Sequence, residues 1–88
     1  MHSKTWHIEI YLTEDEDVTH ARAMLTADAA RPVQATGTAR RNPRDRAVPE
    51  IGDELATARA LSELSHTLLD IAARDIEDFE GRPVHLVT

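Results

Sequence analysis

The sequence predicts an α+β fold: a three-stranded antiparallel sheet packed against one long C-terminal helix, in the order β-β-β-α. Three observations carry this. Three runs in the first half alternate polar and apolar side chains with period two, as half-buried strands do. Charged or turn-forming clusters separate those runs. The second half changes to apolar residues at three- and four-residue spacings, the pattern of a single amphipathic helix. At 88 residues the chain suits one domain, residues 1–88, with a thin core.

The first strand is expected over residues 5–12, TWHIEIYL. Trp6, Ile8, Ile10 and Leu12 share one face, and His7, Glu9 and Tyr11 the other. TEDED follows as a charged turn. The second strand is expected over residues 18–26, where Thr19, Ala21, Ala23 and Leu25 alternate with His20, Arg22 and Met24. Its length between two turns suits a hairpin partner better than a free helix. ADAARP is the next turn, punctuated by Asp28 and Pro32.

The third strand is expected over residues 33–41. Val33, Ala35, Gly37 and Ala39 share its inner face. Side chains this small let a helix lie close to the sheet, with bulk supplied by the helix and by Trp6; alternatively Gly37 marks a bulge or bend.

The helix is expected over residues 51–80. Pro49 suits a first helical turn, although Gly52 costs about 1 kcal/mol relative to alanine and a start at Asp53 is an equal reading. The apolar stripe is read as Leu55, Ala58, Leu61, Leu64, Leu68, Ile71, Ala72, Ile76 and Phe79, with Gly81 and Pro83 as the stop. From Asp53 to Glu80 the helix would run about 42 Å. An eight-residue strand spans only about 27 Å, so the helix is expected to overhang the sheet, bend or meet a second chain. PVHLV is expected to add a short edge strand through Val84 and Leu86.

Composition limits the function. The net charge is −6, which steers against nucleic acid and anionic membranes. No cysteine is present, so disulfides, thiol nucleophiles and cysteine-rich zinc sites are excluded. No run approaches the roughly 20 apolar residues that span a bilayer. The alternating start differs from a secretory leader, and the cytoplasm is the expected location.

The one sharp cluster is Arg40, Arg41, Arg44 and Arg46, candidate contacts for an anion or a partner because arginine forks grip phosphate and carboxylate. Asp45, Glu50, Asp53 and Glu54 follow immediately. The favoured reading is therefore internal pairing that pins the loop to the first helical turn, ahead of an inter-subunit salt bridge or an RNA contact. Other sites weigh less. His7, Glu9 and His20 would make a zinc set only if the hairpin brought them together. His66 stands four residues before Asp70, as a helical salt pair would. Glu14, Asp15, Glu16 and Asp17 read as a solvated turn rather than a cation site. Ser62 and Ser65 beside His66 lack an elbow, an oxyanion hole and a remote acid. No cofactor, metal or small-molecule substrate is expected.

TWHIEIYLTEDED, ARRNPRDRAVPEIGDELATARALSEL and the tail DIEDFEGRPVHL together resemble a family of small uncharacterised actinobacterial proteins, over nearly the whole chain. The resemblance implies a fold like the double-stranded RNA-binding domain, with no assigned activity and no functional residues to carry over. The RNA-binding activity is not expected to follow. Those domains place a helix before the sheet and lysines at the start of the last helix, where they reach phosphates. Here Trp6 already belongs to a strand, and Gly52, Asp53 and Glu54 occupy the lysine positions.

The expected function is accordingly non-catalytic, acting through a surface by homo-oligomerisation or by contact with another protein. The first alternative is a nucleic-acid-binding module using Arg40, Arg41, Arg44 and Arg46; a small enzyme is the last.

Overall fold

A computed structural model describes residues 1–27, 31–83 and 85–86. The chain runs β1 (His7–Asp15), β2 (Val18–Thr26), β3 (Val33–Arg40) and α1 (Pro49–Glu80). The strands form one antiparallel sheet in the order β1-β2-β3, the predicted α+β arrangement. Of the expected turn at ADAARP, Asp28 lies outside the described residues. So does Val84 of the expected edge strand; Leu86 carries no strand.

β1 begins at His7, two residues later than expected, and continues into the charged run as far as Asp15. Pairing with β2 draws it on: Asp15 sits opposite Val18, leaving Glu16 and Asp17 as a two-residue turn. Glu16 adopts a φ of 53°, the left-handed conformation that a tight hairpin turn demands. The register from Val18↔Arg40 to Leu25↔Val33 is unbroken and sets Gly37 opposite Ala21, so Gly37 makes no bulge.

Gly37 instead lets the helix touch the sheet. A methyl group there would stand 2.8 Å from the carbonyl carbon of Arg59, and closer still to the Ala60 amide nitrogen and the Ala56 carbonyl oxygen. The predicted close approach is therefore real, and it decides which helix face turns inward. The buried helix residues are Ala56, Ala60 and Leu64, and a methyl at Gly52, four residues before Ala56, would come within 2.7 Å of Thr19 Oγ1. This seam corrects the predicted stripe, since Leu55, Ala58, Leu61 and Phe79 are exposed. Only small residues allow helix backbone to rest on strand backbone, so alanines took the positions that a count of leucines assigns elsewhere.

The core is correspondingly poor in bulk. Among the described residues, six of the eight buried apolar residues are alanines, with Leu25 and Leu64 the exceptions. A buried methyl stabilises by about 0.8 kcal/mol and a buried leucine by about 1.5–3 kcal/mol, so much of the chain's apolar potential lies outside the core. Part of it is on β1. The helix lies over β3 and β2 and barely touches β1, so Ile8 and Leu12 remain 46% and 43% exposed on the face meant for burial. Trp6, expected to supply bulk, precedes β1 and is also exposed.

α1 starts at Pro49, with proline at N1 and Val48 as an extended N-cap that lacks a side-chain bond. It ends where Gly81 turns left-handed at a φ of 74° and donates its N–H to the Glu77 carbonyl at 2.6 Å. Its 32 residues run about 48 Å, against about 27 Å for an eight-residue strand. The overhang accounts for the long axis of 53 Å and for Phe79, 91% exposed near the helix end. No helix of the described residues is long and apolar enough to cross a membrane.

Candidate interaction surface

The arginine cluster divides on folding. The register that sets Val18 opposite Arg40 brings the next residue, Arg41, to the hairpin turn. Its backbone N–H donates to the Asp17 carbonyl at 2.7 Å, and its guanidinium pairs with the Asp17 carboxylate at 2.5 Å. The second arm of the fork donates to the Asp45 carbonyl at 2.6 Å. Arg41 thus ties the β1–β2 turn to the loop that follows β3. Asn42 steadies that loop: its side chain accepts the Arg44 N–H and its carbonyl accepts the Asp45 N–H.

The expected partners lie elsewhere. Among the described residues, no ion pair within 4.0 Å joins these arginines to Glu50, Asp53 or Glu54. Glu50 and Glu54 are exposed and Asp53 is half-buried along the first helical turns. Arg40, Arg44 and Arg46 remain exposed, and Arg40 and Arg46 border a shallow corner that also includes Val48, Ile51 and Leu55. Asp17 is the acid that sequence reasoning placed in a solvated turn; only the strand register signals its role.

The remaining polar candidates disperse. His20 lies opposite Thr13, four positions along β1 from Glu9, while His7 lies opposite Thr26. At about 3.3 Å per residue, the register parts the candidate zinc set. The His66 ring lies 2.9 Å from the Ser62 carbonyl, so Nδ1 carries the donated proton and the ring is tied to its own helix rather than to Asp70. On the open face of the sheet the Tyr11 hydroxyl donates to the Glu9 carboxylate, and Arg22 lies 4.9 Å above the Tyr11 ring. That hydrogen bond and the carboxylate's charge push the Tyr11 pKa up, with Arg22 opposing.

The largest coherent feature is apolar. On the helix, Ile51 is 54% and Leu55 45% exposed, and Leu61, Val48 and Phe79 are exposed as well. Leu69, Ala72 and Ile76 are half-buried. Beside the helix, Leu61, Leu68 and Leu69 line a trough whose far wall is Ile8 of β1. Scattered apolar residues are ordinary on a protein surface; here several of the exposed ones belong to one helix.

Comparison with known proteins gives the chain its relatives. It is 43% identical over 82 residues to "Uncharacterized protein Mb1767" of Mycobacterium bovis, spanning 93% of this chain and 86% of that protein. It is 42% identical over 81 residues to "Uncharacterized protein Rv2632c" of Mycobacterium tuberculosis, spanning 92% and 86% respectively. The crystal structure of Rv2632c matches this fold with a TM-score of 0.85 at 40% identity, covering 94% of this chain and 98% of that one. A family model described as Rv2632c-like matches residues 4–85. With the match running through all three strands and the whole helix, the chain belongs to the Rv2632c-like family.

Proposed function

We propose that this chain is a single-domain, non-catalytic cytoplasmic protein that works through a surface, by associating with a second copy of itself. The observation that carries the reading is the set of exposed apolar residues on α1, namely Ile51, Leu55, Leu61 and Phe79. A core built mainly from alanine gives modest stabilisation, while leucines and isoleucines capable of more remain in solvent. A second chain that covers them would turn that exposure into binding free energy. The dispersal of the histidines and carboxylates favours binding over chemistry, since catalytic acids and bases work in desolvating pockets. Light scattering at micromolar concentration is expected to give twice the 9.8 kDa of one chain. A single-chain mass throughout that range sinks the proposal.

Nucleic-acid binding is the second reading, favoured by the exposure of Arg40, Arg44 and Arg46. The net charge of −6, together with Glu50, Asp53 and Glu54 at the helix start, weighs against it. The double-stranded-RNA-binding likeness is accordingly taken as one of architecture.

A further inference from the structure

We infer that the second copy binds by laying its own α1 antiparallel along this one, with Ser62 of each chain beside Ser65 of the other; this rests on the self-association proposed above. The outward face of α1 carries Ile51, Leu55, Ala58, Ser62, Ser65, Leu69, Ala72, Ile76 and Phe79, with the N-cap Val48 just before it. Their spacings alternate between three and four residues throughout, the repeat of a coiled-coil seam. The inward seam of Ala56, Ala60 and Leu64 falls on the opposite side of the same helix, so the row from Ile51 to Ser62 points away from the sheet. Ser65 and Leu69 border the trough beside Ile8, and Leu69, Ala72 and Ile76 are half-buried.

The row is complementary to its own reverse. Reading it antiparallel about the midpoint between residues 63 and 64 sets Val48 against Phe79 of the second copy and Ile51 against Ile76. It then sets Leu55 against Ala72 and Ala58 against Leu69. Large residues meet large ones at the two ends, where Val48, Ile51 and Phe79 are exposed and Ile76 is half-buried. Further in, each leucine faces an alanine, and serines meet at the centre. This gradation lets two helices approach to the short end of the usual 8–10 Å. On the trough side the same pairing brings Leu61, itself exposed, against Leu68 of the second copy. The seam is about 46 Å long.

Charge selects the direction. Arg40, Arg44 and Arg46 near the start of α1 are offset by Asp45, Glu50, Asp53 and Glu54. At its end Asp75, Glu77, Asp78 and Glu80 outnumber Arg74 and Arg82, the latter paired with Glu80 at 3.2 Å, so the end is the more acidic of the two. An antiparallel pair keeps the acidic end of each chain away from that of the other, beside the arginines near the start of α1, and sets the two helix dipoles in opposition, both favourable. A parallel pair would crowd arginines with arginines and acids with acids. Two contacts run against the pattern: Glu54 would face Asp75 of the second copy, and on the other flank Arg59 would face His66.

The chain has no cysteine, so single introduced cysteines report the register. Full-length A58C and L69C, each still folded by circular dichroism, are mixed and oxidised. The expected result is a mixed disulfide between them and none in either variant alone. Residues 58 of the two copies would lie about 16 Å apart along the axis, beyond disulfide reach. A58C cross-linking to itself would indicate a parallel pair and overturn the inference. A dimer mass with no mixed disulfide would overturn it too while leaving self-association standing; a monomer mass overturns both. As an independent check, E54K turns the like-charge contacts with Asp75 of the second copy into opposite-charge pairs and is expected to tighten the dimer about fivefold. Unchanged or weaker association in E54K would count against this register.

Discussion

Gly37→Ala tests the contact on which the fold depends. The added methyl would stand 2.8 Å from the Arg59 carbonyl carbon, with the Ala60 amide nitrogen and the Ala56 carbonyl oxygen nearer still. All three are helix backbone atoms, so no side chain can rotate out of the way. The helix must lift from the sheet, and a gap of 0.5–1 Å forfeits about a quarter to a half of each van der Waals contact along the seam. Ala56, Ala60 and Leu64 are the helix residues that lose those contacts. Overpacking typically costs about 1–3 kcal/mol, and a backbone obstacle places this substitution near 3 kcal/mol. For a domain of this size each kcal/mol moves Tm by about 4–8 °C, so the expected fall is about 12–24 °C. Thermal unfolding followed by circular dichroism at fixed protein concentration measures it. Thr36→Ala on the exposed face of the same strand is the control and should remain within about 0.5 kcal/mol of the native chain. A fall for Gly37→Ala of less than about 4 °C would refute the close approach of helix to sheet.

Three other outcomes follow from the same structure. Arg41→Ala removes the link between the Asp17 carboxylate and the Asp45 carbonyl; because both ionic side chains are about one-third exposed, the expected loss is only about 1 kcal/mol by chemical denaturation, and no loss at all would mean the corner is held by other contacts. The Tyr11 phenol should ionise above its ordinary range in an ultraviolet pH titration, and Glu9→Gln should bring it back down, because the hydrogen bond to Glu9 is the largest cause of the rise. The folded pKa exceeds the unfolded one, so the linked stability is present below the ordinary phenol range and is lost as pH rises through the folded value; an unchanged titration in Glu9→Gln would contradict this. Duplex RNA or DNA at low salt should show no measurable binding, and binding whose salt slope falls when Arg40, Arg44 and Arg46 are replaced would establish the second reading instead.

The three strands and the C-terminal end of the helix were legible in the sequence because they depend on local chemistry. β1, however, runs over His7–Asp15 rather than 5–12, and α1 starts at Pro49 rather than at 51 or Asp53. Alternation in HIEIYL marks β1, Pro49 suits a first helical turn, and Gly81 supplies the left-handed cap. The inward face of α1 was not legible by counting large apolar residues, because the competing rule was steric. Gly37 faces helix backbone, so the four-residue spacing of Gly52, Ala56, Ala60 and Leu64 outweighed the leucines. Placement of the helix over β2 and β3 then left Ile8 and Leu12 open, an outcome that alternation alone does not encode. At the arginine corner, residue types gave the cluster, but the partner of Arg41 depended on register. Asp17 lies 24 residues earlier and reaches it only because Val18 pairs with Arg40.

The central claim is that the outward face of α1 is covered by the same face of a second copy. Isotope-filtered nuclear Overhauser spectra of a mixture of labelled and unlabelled chains test it most directly. The predicted contacts between copies join the Ala58 methyl to Leu69 and the Ile51 side chain to Ile76. Contacts between copies that arise only from β1, or none at a concentration where the mass is that of a dimer, would contradict it.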